Sequence, residues 1–369
     1  MSRKLLSYTA IGLILGSTAI ADVPKVAVDI APVHSLVSRV MEGVGSPKLI
    51  IPAGASPHEY SLRPSEAKSL QDADMVIWMG EDLAPWMENS IETLSKNAEV
   101  ITLLEESSTK LLDFREGALF EAHDHGEHDD HDDHDDHDHD KDHEEHDDHD
   151  DHDDHDDHDH DKDHDDHDDH DDHDDHEDHD HDKDHDDHDD HEDHDGHAHG
   201  EHDPHAWLST ENAQTWLNLV AGKLSASDPE NAGVYFANAA AAREEINDLV
   251  KEVNSILEPV RGRNFVVFHD AYQYFETSFD FPAAGAISLG DATDPSAARI
   301  AEIQDRVKDE GINCVLSEPQ YNANLVATVL SGTDAKTGVI DPLGLGLEPG
   351  SKLYGDLIRN MGKALAGCL

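Results

Sequence analysis

Long apolar runs are missing from this chain beyond its N-terminal segment. No later stretch approaches the roughly 18 consecutive apolar residues that a transmembrane helix needs, so no membrane span is expected. Positive charge is also scarce, with 25 Lys and Arg against 85 Asp and Glu. Phosphate contacts need clustered cations, so a nucleic-acid partner is disfavoured and none is expected. The chain contains no H-E-x-x-H, which removes the common helical zinc-protease signature. Cysteine is limited to Cys314 and Cys368.

What is present begins with Arg3 and Lys4, an apolar run from Ile11, and Ala19-Ile20-Ala21. A positive start, an apolar stretch and an A-x-A site are the parts of a secretory signal peptide, here residues 1–21. No cysteine lies near the cleavage point, which argues against a lipid anchor there. An exported chain sits in an oxidising compartment, which favours a disulfide between the two cysteines over two buried thiols.

The net charge of −60 is unevenly spread. Residues 121–203 hold 47 of the acidic side chains and 3 of the lysines, which leaves the remainder at −16. This tract is nearly all D-D-H, and HDHDKDH recurs at 137–143, 158–164 and 179–185, marked by Lys141, Lys162 and Lys183. Its repeats offer no apolar residue to bury and the tract repels itself, so it is expected to be disordered. It also carries 28 of the 32 histidines. Neutral imidazole binds zinc and its neighbours among the transition metals. Many weak, overlapping sites are expected, from His123 and His125 to His197, His199 and His202.

Around the tract, short apolar runs alternate with amphipathic stretches. Val26–Ile30, Leu49–Ile51, Met75–Met79 and Val100–Leu103 read as strands, with helices near 33–43, 65–72 and 84–96 between them. Beyond the tract a helix is expected over Thr210–Leu224, capped by Ser209 or Thr210. A long helix follows, with Asp228 as cap, Pro229 as first residue and a stripe of Tyr235, Ala239, Ala242, Ile246, Leu249, Val253 and Ile256. Strands at Phe265–Phe268, Cys314–Leu316 and Gly338–Ile340 then alternate with helices at Arg299–Asp309 and Asn322–Leu330. The expected fold class is α/β: two lobes, each a parallel sheet flanked by helices, joined by a long rigid helix, with a disordered His/Asp-rich insertion in the first. The boundaries read as signal 1–21, first lobe 22–120 and 204–227, insertion 121–203, helix 228–259 and second lobe 260–369.

Four histidines lie outside the tract: His34, His58, His205 and His269. His34 falls in a helix start and reads as structural. The other three share a setting. His58 lies between a strand and a helix, His205 precedes a capped helix, and His269 directly follows four apolar strand residues. Ligands of open α/β sheets bind beyond the carboxyl ends of strands, so the three can converge between the lobes. Three imidazoles plus a carboxylate or water suit four-coordinate zinc. Asp341, at another strand end, is the candidate fourth ligand unless it only caps its turn. Glu59 is a weaker alternative.

"GASPHEYSLRPSEAKSLQDADMVIWMG", "HAWLS", "FHDAYQYFE" and "SEPQ…VIDPLG" together resemble the periplasmic solute-binding proteins of zinc ABC importers, the ZnuA type of the metal-binding cluster A-I family. The resemblance runs from Val26 to the C-terminus, interrupted by the tract. It implies a periplasmic, monomeric, non-enzymatic zinc receptor that hands its ion to an inner-membrane ABC permease. The family's ligand pattern maps onto His58, His205 and His269, and its second-lobe aspartate onto Asp341. Manganese members usually carry Glu where His269 stands, and some zinc members have a carboxylate where this chain has Pro57. Cys314 and Cys368 fit the disulfide common in the family. Deleting 124–202 is expected to lower the number of zinc ions bound while leaving one tight site, and His269→Ala to do the reverse. Zinc titration with manganese as competitor reads both; loss of the tight site on deletion would assign His205 to the tract.

Overall fold

The computed structural model describes residues 23–115, 202–288, 296–309, 311–320 and 323–369. The signal segment 1–21, the histidines His123, His125, His197 and His199, and the disorder expected of the insertion up to residue 201 lie outside these residues.

Two parallel four-stranded sheets form the frame. The first contains β1 (Val26–Val28), β2 (Lys48–Leu49), β3 (Met75–Trp78) and β4 (Glu99–Thr102), in the order β2-β1-β3-β4. The second contains β5 (Phe265–His269), β6 (Gly285–Ser288), β7 (Cys314–Ser317) and β8 (Lys336–Val339), in the matching order β6-β5-β7-β8. The central strands β1, β3 and β5 are buried along their whole length, as continuous apolar runs covered on both faces should be. In each sheet the first two connections diverge from the first strand to opposite sides. This leaves a topological switch point between β1 and β3 and another between β5 and β7, where the strand ends make a crevice.

The helices of the first sheet are α1 (Ala31–Val40), α2 (Pro64–Gln71) and α3 (Pro85–Leu94), each with proline in its first turn. Proline lacks the N–H that this turn leaves unpaired in any case. Helix α4 (Thr210–Ser227) is capped by the Ser209 hydroxyl, which accepts from the Asn212 N–H at 3.1 Å. Helix α5 (Ala232–Leu257) is continued at both ends by the 3-10 turns Pro229–Asn231 and Glu258–Val260. Its buried stripe is the expected one except at the end, where Leu257 and not Ile256 faces inward. A second step of four residues after Val253 keeps the stripe on one face of a 3.6-residue helix, which a step of three would have left. At 1.5 Å per residue α5 is about 39 Å long.

Helix α5 packs on α1, α4 and α9 (Leu353–Cys368). One apolar core therefore runs from β1 and β3, along the α5 stripe, to α9 and one face of the second sheet. The approach of α9 is close: a Cβ on Gly362 would lie 2.9 Å from Val253 Cγ1. The Cys314–Cys368 disulfide ties β7 to the end of α9. A second, smaller core, including Val266, Phe268, Ile287 and Val315, fills the other face of that sheet under α7 (Ala297–Asp309) and α8 (Ala323–Val329). Strand β6, α9 and α6 (Gln273–Phe279) were not expected from the sequence. Strand β8 also begins two residues before the expected position.

Asp29, directly after β1, is fully buried. Its carboxylate accepts from the N–H groups of Ile30 and Met79, both at 2.7 Å, and so crosses the switch point of the first sheet. Burial pushes this carboxyl up to about 7, against the opposing effect of the two N–H groups. The folded value lies above the unfolded one, so the folded chain keeps a proton that the unfolded chain has released. Stability from this group is fully present below the unfolded value near 3.8 and is lost as pH rises through 7, by about 4 kcal/mol in all. Relative to Asp29→Asn, the wild type is expected to lose stability between about pH 5 and 8. Urea midpoints measure this, and parallel curves for the two proteins would contradict it.

Candidate metal centre

His58 is delivered by the loop after β2. The Trp86 indole N–H donates to the Pro57 carbonyl at 2.8 Å and fixes that loop just before the imidazole. Downstream, Glu66 closes a capping box on the Arg63 N–H and accepts from the Tyr60 hydroxyl. His205 starts the 3-10 turn Ala206–Leu208 and is buried. His269 is the last residue of β5, at the switch point of the second sheet, and is also buried.

One nitrogen from each of these three rings lies within 4.8 Å of the other two. Among the described residues this is the group of three or more His, Cys, Asp or Glu side chains arranged to hold a metal ion. His205 and His269 face each other through their Nε2 atoms at 3.4 Å. The far side of each ring explains why. His205 Nδ1 lies 2.8 Å from Asp203 Oδ1, which also accepts the His205 backbone N–H at 2.9 Å. His269 Nδ1 lies 2.6 Å from Glu318 Oε1. A carboxylate only accepts, so each Nδ1 carries the hydrogen, and in the neutral ring each Nε2 turns a lone pair toward the other. Two lone pairs converging in a buried site repel unless a cation lies between them. Around a tetrahedral zinc with bonds of about 2.05 Å, nitrogens stand roughly 3.3 Å apart, close to the spacing seen.

Asp203 and Glu318 were not foreseen. Glu318 directly follows β7, so the strand-end rule that singled out His269 applies to it equally. Asp203 was assigned to the tract, yet it is buried. His202, the neighbour of Asp203, makes a β-bridge to Asp113 and meets its carboxylate at 2.9 Å. The insertion therefore ends before 203. His34 is structural, buried in α1 with Nε2 3.2 Å from the Pro47 carbonyl.

The structure does not bring Asp341 or Glu59 into the cluster. Glu59 is exposed. Asp341 Oδ1 accepts from the Leu343 N–H at 3.0 Å and from Gln320 Nε2 at 3.1 Å, so the carboxylate caps its own turn. The cavity at the three rings is about 20 Å³ and is lined also by Trp207, Glu318, Gln320 and Leu343. That is room for an ion and about one water.

A family model described as "Zinc-uptake complex component A periplasmic" matches residues 26–368. The chain belongs to this family. It is 45% identical over 359 residues to the high-affinity zinc uptake system protein ZnuA of Paracoccus denitrificans (strain Pd 1222), covering 96% of this chain and 95% of the relative. It is 43% identical over 354 residues to that of Brucella abortus (strain 2308), covering 96% and 94%. Among solved structures, a crystal structure of ZnuA superposes with a TM-score of 0.64 at 17% identity, over 94% of this chain and 99% of that one. The solute-binding protein FpvC from Pseudomonas aeruginosa in complex with Mn2+ superposes with a TM-score of 0.65, also at 17% identity, over 94% and 98%.

The second sheet reaches across to hold the first-lobe side of the site. The Tyr274 hydroxyl donates to the Asp203 carbonyl and accepts from the Leu112 N–H, both at 2.9 Å. The Trp207 indole N–H donates to the Pro342 carbonyl at 2.9 Å. Arg115 forks onto Asp270, the neighbour of His269, and onto Glu276. All three side chains of this ion cluster are largely buried. Arg115→Ala leaves two buried carboxylates uncompensated and is expected to cost about 3–5 kcal/mol. A denaturant midpoint indistinguishable from wild type would show that the cluster contributes nothing.

Proposed function

We propose that His58, His205 and His269 bind one Zn2+ ion as cargo, with the Nε2 atoms of His205 and His269 among the ligands. The facing pair of Nε2 atoms, each backed by a carboxylate on its Nδ1, carries this reading. Neutral nitrogen donors suit zinc and disfavour manganese, which prefers oxygen. The chain is the binding component of a high-affinity zinc uptake system, as its family is. It takes zinc in the periplasm and passes it to an ABC permease.

The same reading assigns residues 1–21 to export and the His/Asp-rich stretch from 121 to 201 to weak zinc collection, where tethering raises the local concentration. It keeps the division into lobes 22–120 with 204–227 and 260–369 around the helix 228–259, the chain acting as a monomer. Because α5 joins a core that extends into both lobes, metal binding is accompanied by small tilts and not by wide closure. A hydrolytic role is disfavoured: ligand pockets measure several hundred Å³, and the cavity of about 20 Å³ admits no ester, peptide or phosphate.

Asp203→Asn and Glu318→Gln are each expected to weaken zinc binding by about 10- to 100-fold, since both carboxylates orient a ligand ring. Competition against a chelator of known affinity measures it. Unchanged affinity in both variants would mean that these imidazoles do not hold the ion.

A further inference from the structure

Gln320 lies three residues past β7 and lines the same cavity as the three histidines. Its Nε2 donates to Asp341 Oδ1, so the amide oxygen is directed away from that carboxylate. This Oε1 is buried and finds no hydrogen-bond partner among the described residues. Proteins rarely leave such an oxygen unpaired, and an exception needs an explanation. A water bound to zinc supplies one. It coordinates through its oxygen and presents two polarised O–H donors, and the cavity has room for about one water besides the ion.

We propose that Gln320 determines metal specificity: its Oε1 accepts a hydrogen bond from a water that serves as the fourth zinc ligand, while its Nε2 holds Asp341 out of the coordination sphere. The inference rests on the three-histidine reading above. It explains how a carboxylate so close in sequence to the cavity-lining residues Pro342 and Leu343 is kept from the metal. Two of Asp341's hydrogen bonds converge on one oxygen, from the Leu343 N–H and from Gln320. Removing the Gln320 amide loosens that hold. A freed Asp341 adds an anionic oxygen, the donor that manganese prefers and a site of neutral nitrogens denies it.

The test uses the full chain with Zn2+, Mn2+ and Co2+ as probes. Gln320→Leu is expected to weaken zinc about tenfold or more, in the range found for outer partners of metal ligands, and to strengthen manganese, so that the preference for zinc shrinks. The visible spectrum of the Co2+ form is expected to change, because the fourth ligand changes. Gln320→Glu serves as a second variant should the first fold poorly; it repels Asp341 and is expected to shift the preference the same way. Adding Asp341→Ala to Gln320→Leu should abolish the manganese gain and keep the zinc loss. An unchanged zinc-to-manganese ratio and Co2+ spectrum in both Gln320 variants overturns the proposal. So does a hundredfold loss of zinc in Asp341→Ala alone, which would make Asp341 a ligand. Neither outcome touches the histidine reading, which fails separately if His269→Ala retains the tight site.

Discussion

Two hydrogen bonds decide what this molecule can hold. Asp203 on His205 and Glu318 on His269 each hold the outer ring nitrogen, so that the inner Nε2 atoms face each other at 3.4 Å. Without the carboxylates either imidazole could adopt the other tautomer or rotate to bond a neighbour, and the two Nε2 atoms would no longer be held face to face. The cost of holding two acceptors face to face in a buried cavity falls on the rest of the fold. Tyr274 ties the loop of His205 to the second half of the chain, Arg115 clamps Asp270 beside His269, and Trp207 packs against His205 at a tilt while bonding to Pro342.

The topology explains why the two halves supply different parts. Each sheet has a switch point where its first strand's connections diverge. In the second, His269 and Glu318 stand on either side of that point, at the ends of β5 and β7. In the first, the corresponding place is filled by Asp29, which is spent on the backbone of Met79 and Ile30. The first half therefore presents its imidazoles from loops, and loops need bracing. That accounts for the Trp86 bond at Pro57 and for the bonds that converge on Asp203.

Much of this was legible from the residues. Buried parallel strands read as unbroken apolar runs, the long helix as a stripe at steps of four and three, and the three histidines as a shared position after strands or before helices. Three kinds of feature were not legible. Strand β6, Gly285–Ser288, mixes small and polar residues and gives no period to follow. The fate of Asp341 depends on Gln320, a contact between strand ends that no local pattern encodes. And Asp203 is the last acid of a segment dense in acids, with nothing in its sequence to announce that it is buried.

The bridge between Asp113 and His202 has a consequence for how such a gene can change. These two residues close the ring of chain at its neck, so whatever lies between them is spliced onto a junction that the fold itself completes. Loop-closure entropy grows only logarithmically, about 0.6 kcal/mol for each doubling of length. Slippage that adds or drops one 21-residue unit of the repeat would barely register in the stability of the molecule. The number of repeat units can therefore change at little cost to the fold on either side of the neck.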